Sequence, residues 1–244
     1  MAFSYEQAAG RLMVALDYPS AEQARETIQA LKGIPCYMKV GMQLFYTAGP
    51  DFVKELKSQG YSVFLDLKMH DIPNTVKGGA NSITRLGVDM FNVHAAGGLK
   101  MMAAAMEGVM SALESDTSLK KPLLIGVTQL TSTNQETLNR EIGIQGSVEQ
   151  SVLSYASFTK EAGLDGVVAS PLEVQAIKEQ CGASFITVTP GIRPAGSSAG
   201  DQSRTLTPGE AMRQGTDYIV VGRPITGAPQ PREAAEQIIE EMMK

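Results

Sequence analysis

Eight short β-rich apolar runs alternate with helical patterns along the 244 residues, and this alternation constrains the fold more than any other feature. The expected strands are residues 11–17, 37–42, 61–68, 90–95, 123–128, 166–170, 185–190 and 218–223. Runs such as LMVAL, LLIGV and YIVVG are continuous, as expected for parallel strands covered on both faces. Between them, Ser20 is placed to cap a helix over AEQARETIQALK, and Asp51 opens FVKELKSQG, which ends at Gly60. Pro73 stands near the start of a helix running to Arg85, where its missing N–H costs little. Residues 99–113 are dense in Ala and Met, a stripe expected to pack in the core. A last helix is expected over 232–244.

Eight βα units in a chain of this size predict an α/β fold, a single-domain (β/α)₈ TIM barrel over residues 1–244. A doubly wound sheet is the rival, but its first βα turn should carry GxGxxG. The chain has neither that pattern nor GxxxxGK[ST]. Its length allows a core that needs no disulfide or metal. Cys36 and Cys181 are far apart, in no metal-ligand spacing, and are expected as small buried side chains in a reducing compartment. The net charge of -5 argues against nucleic-acid binding while admitting a small anionic substrate. No basic segment precedes an apolar run at the N-terminus, and no stretch is long enough for a bilayer. The expectation is a soluble, cytoplasmic protein without a membrane partner.

Chemistry in such a barrel sits at the C-terminal ends of the strands. Those ends are polar here: Asp17 on the first, Lys39 on the second, Asp66-Leu67-Lys68 on the third, and Thr128 then Thr131 after the fifth. Asp66 and Lys68 are two residues apart and should share the inner face, with Leu67 turned outward. Charges inside a barrel are costly unless paired. A purely structural ion-pair network is the bland alternative, but the strand-end location together with Asp71 three residues on favours catalysis. Loops after strands seven and eight often bind phosphate in these barrels. Gly191 and Gly222 allow close approach of an anion, and Arg193 and Arg223 supply planar charged donors. The segment RPAGSSAGDQSRT, residues 193–205, is expected to be a lid over the phosphate, with Gln202 inside it. His70 and His94 lack the spacing of a metal site or a Ser-His-Asp relay, so no catalysis is assigned to them.

The segment from Asp66 to Thr75, DLKMHDIPNT, resembles the DxKxxDIPNT signature of orotidine 5′-monophosphate decarboxylases. The resemblance spans the chain through LMVALD, YMKVG, VTQLTS, TPGIRP, GDQ and IVVGRPI. It implies a cofactor-free and metal-free lyase that converts orotidine 5′-monophosphate to UMP, the last step of pyrimidine nucleotide synthesis. Lys68 would protonate C6 of the pyrimidine within an alternating array of Lys39, Asp66, Lys68 and Asp71. Asp17 and Lys39 would hold ribose hydroxyls, and Thr131 the amide edge of the base. Gln202, Arg193, Gly222 and Arg223 would hold the phosphate. Asp71, Ile72 and Thr75 would come from the second subunit of a homodimer. Mg²⁺-dependent sugar-phosphate decarboxylases and synthases of the same superfamily share DxKxxD, but Ile72-Pro73-Asn74-Thr75 fits the nucleotide enzyme better. A catalytically silent nucleotide-binding barrel is the alternative of another class.

Overall fold

The computed structural model describes residues 3–194 and 205–244. Eight parallel strands close in sequence order into a barrel: β1 (Leu12–Ala15), β2 (Tyr37–Gly41), β3 (Ser62–Met69), β4 (Met90–His94), β5 (Leu123–Val127), β6 (Gly166–Val168), β7 (Ile186–Thr189) and β8 (Tyr218–Val221), with β8 paired to β1. The helices among the described residues are α1 (Tyr5–Ala9), α2 (Ala21–Ala30), α3 (Met42–Ser58), α4 (Pro73–Arg85), α5 (Gly98–Ser115), α6 (Val148–Glu161), α7 (Val174–Cys181), α8 (Pro208–Arg213), α9 (Arg223–Thr226) and α10 (Pro231–Met242). The predicted barrel is therefore the observed one.

Two apolar layers follow from the strand period of two. Outward-facing Leu12, Val14, Met38, Val40, Val63, Leu65, Phe91 and Val93 pack under the helices. Inward-facing Met13, Phe64, Met90, Ile125 and Val188 fill the barrel interior, bordered by Tyr37 and Tyr218 packed edge to face. Met101 and Met102 of α5 are buried in the outer layer, as their stripe predicts. Ser20 accepts the Gln23 N–H and caps α2. Both cysteines are buried, and burial pushes the Cys36 thiol up to about 12.

The helix expected from Asp51 is the second stretch of α3, and a first helical stretch from Met42, not expected from the sequence, precedes it across a kink. Gly49 takes φ 71° and bends the path, and Pro50 follows at the start of the second stretch, where it needs no N–H partner. A Gly-Pro pair marks a break in sequence, and here it separates two helical stretches.

Three strands enter the barrel through a shared tripeptide: Gly87-Val88-Asp89 before β4, Gly163-Leu164-Asp165 before β6, and Gly215-Thr216-Asp217 before β8. Each glycine has positive φ, which turns the chain from helix to strand. Each aspartate then accepts a backbone N–H from the preceding strand, Val63, Leu124 and Thr187 respectively, at 2.7–2.8 Å. Each also accepts a lysine Nζ: Lys57 at 2.5 Å, Lys121 at 2.9 Å and Lys178 at 2.6 Å. The base of the barrel is thus tied by one device repeated at alternate strands.

Candidate active site

Above the apolar plug the barrel opens into a cavity of about 640 Å³. Asp17, Lys39, Asp66, Lys68, Gln129, Thr131, Arg193, Gly222 and Arg223 all line it. The strand period aims Lys39 and Asp66 inward, while Leu67 turns toward the outer layer as expected.

A continuous run of ion pairs crosses the floor. Lys39 Nζ lies 3.1 Å from Asp17 Oδ1 and 3.4 Å from Asp66 Oδ2, and Lys68 Nζ lies 2.7 Å from Asp66 Oδ1. Lys39 is 6% exposed and Asp66 9%, so both charges are nearly out of water. Burial alone would neutralise them. For Asp66 that pressure is outweighed by Lys39 and Lys68 and by hydrogen bonds from Lys68 and Asn92, which hold its carboxyl below the usual range. Lys39 is likewise opposed by burial, but Asp66 and Asp17 hold its ammonium above its ordinary value. Gly41 leaves the room for this run. A Cβ there would stand 3.2 Å from both Asp17 Oδ1 and Lys39 Nζ.

Lys68 departs from ordinary strand geometry, with φ +50°. The β3–β4 ladder pairs Leu65 with Phe91 and next Met69 with Val93, so β3 spends two extra residues between them. The bulge releases residues 66–68 from backbone pairing with β4, while Asp66 stays in register with Gly41 of β2. Bulges of this kind recur beside active sites, where they re-aim side chains. Asn92, on β4, fills the gap: its Nδ2 donates to Asp66 Oδ1 at 2.7 Å, and its Oδ1 accepts the Lys68 N–H at 2.8 Å. Sequence reasoning missed Asn92; the available signal was a lone amide inside the apolar run MFNVH.

At the other end of the cavity, Gly191 takes φ 81°, a left-handed turn that favours glycine. Ile192 bridges to Leu206, and the Arg193 N–H donates to Leu206 O at 3.0 Å. These contacts clamp the two ends of the expected lid together. Residues 195–204 of the expected lid, Gln202 among them, lie outside the described residues. Burial, then the neighbouring Arg223 charge, depresses the Arg193 guanidinium. Two like charges held near each other create a site of positive potential suited to an anion.

Asp71, Ile72 and Thr75 are placed differently. All three are exposed, Ile72 to 67%, and none lines the cavity of its own chain. Asp71 Oδ1 accepts the Ile72 N–H at 2.6 Å. His70 and His94 form a tilted ring pair at 5.7 Å beside the floor. Burial, with His70 and Lys68 adding to it, lowers the His94 imidazole. Among the described residues, no group of three or more His, Cys, Asp or Glu side chains is arranged to hold a metal ion. No described helix is long and apolar enough to cross a membrane.

A family model described as Orotidine 5′-phosphate decarboxylase / HUMPS family matches residues 10–238. An orotidine 5′-phosphate decarboxylase of Moorella thermoacetica is 50% identical over 234 residues, covering 95% of this chain and 92% of that protein. One from Lactococcus lactis subsp. cremoris is 52% identical over 234 residues, covering 95% and 97%. The crystal structure of orotidine 5′-phosphate decarboxylase from Lactobacillus acidophilus aligns with a TM-score of 0.84 at 43% identity, covering 95% of this chain and 98% of that one.

Proposed function

The chain belongs to the Orotidine 5′-phosphate decarboxylase / HUMPS family, as a carboxy-lyase of the bacterial type, and we propose that it decarboxylates orotidine 5′-monophosphate without a cofactor, using Lys68 as proton donor. The observation that carries this reading is the Asp66–Lys68 pair on the floor of a cavity that also contains Arg193 and Arg223.

In the proposed step the bond from C6 to the carboxylate carbon breaks, CO₂ leaves, and the electron pair remains on C6. That vinylic carbanion has no adjacent carbonyl of the β-keto kind to delocalise it. The Lys68 ammonium stabilises the charge as it develops and then transfers a proton to C6, giving UMP. Charges fixed before the reaction cost no reorganisation during it, and such preorganised groups commonly supply the largest share of the rate. Asp66, held ionised next to Lys68, crowds the departing carboxylate. The Lys68 position is set by a bulge and two neighbours rather than by a free side chain, as this role requires.

Asp17 and Lys39 are assigned to ribose hydroxyls and Thr131 to the pyrimidine amide edge. Arg193, Gly222 and Arg223, with Gln202, are assigned to the phosphate. Their binding energy is remote from the reacting bond and is available to assemble the site, so it should act on kcat as well as KM. Asp71, Ile72 and Thr75 are assigned to the neighbouring site of a homodimer. Their exposure, away from their own chain's cavity, supports that placement.

The test is the absorbance of orotidine 5′-monophosphate incubated with purified protein and excess EDTA. Conversion to UMP, undiminished by the chelator, is the expected result. A folded protein that leaves the nucleotide unchanged, or needs Mg²⁺ to act, overturns the reading in favour of a sugar-phosphate substrate.

A further inference from the structure

We infer that Asn92 is a positioning residue that sets Lys68 and Asp66 for the reaction from one buried amide. The inference rests on the decarboxylase reading above and assigns a residue that the motifs leave out.

Asn92 is only 1% exposed, in the middle of β4 on the inward face. A buried amide in an apolar strand is costly unless both ends are paired. Here the two ends go to the two reacting partners: Nδ2 to the Asp66 carboxylate and Oδ1 to the Lys68 backbone N–H. The network fixes the amide's orientation, because a carboxylate only accepts and a backbone N–H only donates. Lys68 needs such help. Its N–H sits in the β3 bulge, where the ladder to β4 is interrupted, and its backbone adopts φ +50°, a conformation uncommon for a residue with a Cβ. Asp66 Oδ1 also receives Lys68 Nζ, so a single carboxylate oxygen joins the amide and the ammonium. Asn92 therefore holds the strained backbone of Lys68 from behind and its charged partner from the side. No other side chain of this size offers one donor and one acceptor at those two places.

The chemistry of the substitutions differs in a way that packing alone would not produce. Asn92→Leu keeps the shape and removes both bonds. Asn92→Asp keeps shape and the acceptor for Lys68 N–H, but sets a second carboxylate against Asp66. If Asn92 only filled space, the near-isosteric Asp would be the best tolerated. If it positions the pair, neither variant rescues activity.

The experiment compares wild-type protein with Asn92→Leu and Asn92→Asp, with Asn92→Ser as the smaller polar variant should either fail to fold. Expected is a fall in kcat of about 10- to 100-fold, the scale of losing a hydrogen bond to a charged group, with KM and UMP affinity changed less than about threefold. The acid limb of kcat should also move to higher pH in Asn92→Leu, because Asp66 loses a donor that favours its ionised form; Lys39, Lys68 and His94 also face that carboxylate and are unchanged. Variants within about threefold of wild-type kcat, or an acid limb that stays in place, overturn the assignment. So does wild-type-like turnover in Asn92→Asp. Wild-type protein that forms no UMP at all fails the decarboxylase reading instead, and the two failures are thus separable.

Discussion

Asp66 and His94 sit within one network, and both are pushed toward low values, yet for opposite chemical reasons. Asp66 resists burial through Lys39 and Lys68 and stays ionised, whereas His94 is driven by burial, and then by His70 and Lys68, to stay neutral. Linkage converts both into the same sign. Between its unfolded value of about 6.5 and its lower folded value, His94 takes a proton in the unfolded chain but not in the native one, so stability falls as pH falls through that window. Asp66 contributes stability that is intact above its unfolded value of about 3.9 and is lost as pH drops through its folded value. Thermal midpoints should therefore decline in two stages on acidification, and His94→Asn should remove the upper one. A midpoint flat from pH 6.5 downward in the wild type, or an unaltered upper stage in His94→Asn, would contradict this. The lower stage is shared with half-buried carboxylates such as Glu55, which Arg25 holds low. At this scale the sequence was informative wherever a charge interrupts an apolar strand, since Lys39, Asp66 and Lys68 have no inexpensive alternative inside a barrel. It was silent on the left-handed backbone at Lys68, because conformation at a bulge depends on the neighbouring strand.

The elements divide by whether local chemistry decides them. Strands covered on both faces declare themselves as continuous apolar runs, and all eight lie within their predicted spans to one or two residues at the ends. The kink at Gly49 was harder to anticipate, since Gly-Pro is compatible both with a loop and with a bent helix. The Gly-x-Asp entry to β4, β6 and β8 is not marked by the tripeptide alone, which also occurs at Gly49-Pro50-Asp51 within α3, and its meaning depends on partners 26 to 41 residues away. Its consequence is a stability prediction at the far end of the barrel from the chemistry. Asp165→Ala strands the Leu124 N–H and the Lys121 ammonium together. The lysine is partly in water and recovers hydration, whereas the N–H belongs to fully buried Leu124 at the start of β5, so the loss should be about 1–3 kcal/mol. Urea titration should register it as a lower midpoint with the slope unchanged, while kcat of the folded protein stays at the wild-type level. A drop in kcat without a drop in midpoint would instead tie the base of the barrel to the site.

At the scale of the whole molecule, the closed sheet explains why residues from Asp17 to Arg223 meet in one cavity, and this much follows from counting strands. The proposed second subunit does not follow from counting. Nothing in the periodicity of α4 or of the residues just before it points to a second chain, and the proposal that Asp71, Ile72 and Thr75 act across an interface came only through resemblance. The exposed position of Asp71 makes that placement testable by complementation. If each site takes Lys68 from one chain and Asp71 from the other, Asp71→Asn and Lys68→Ala homodimers are both inactive, each with one defect in both sites. A heterodimer of the two concentrates both defects in one site and leaves the other intact. Random exchange of equal amounts makes half the dimers mixed, so recovery should approach about a quarter of wild-type activity per site. If Asp71 instead served its own chain, every chain in the mixture would still carry a defect, and exchange confirmed by differently tagged subunits would restore nothing.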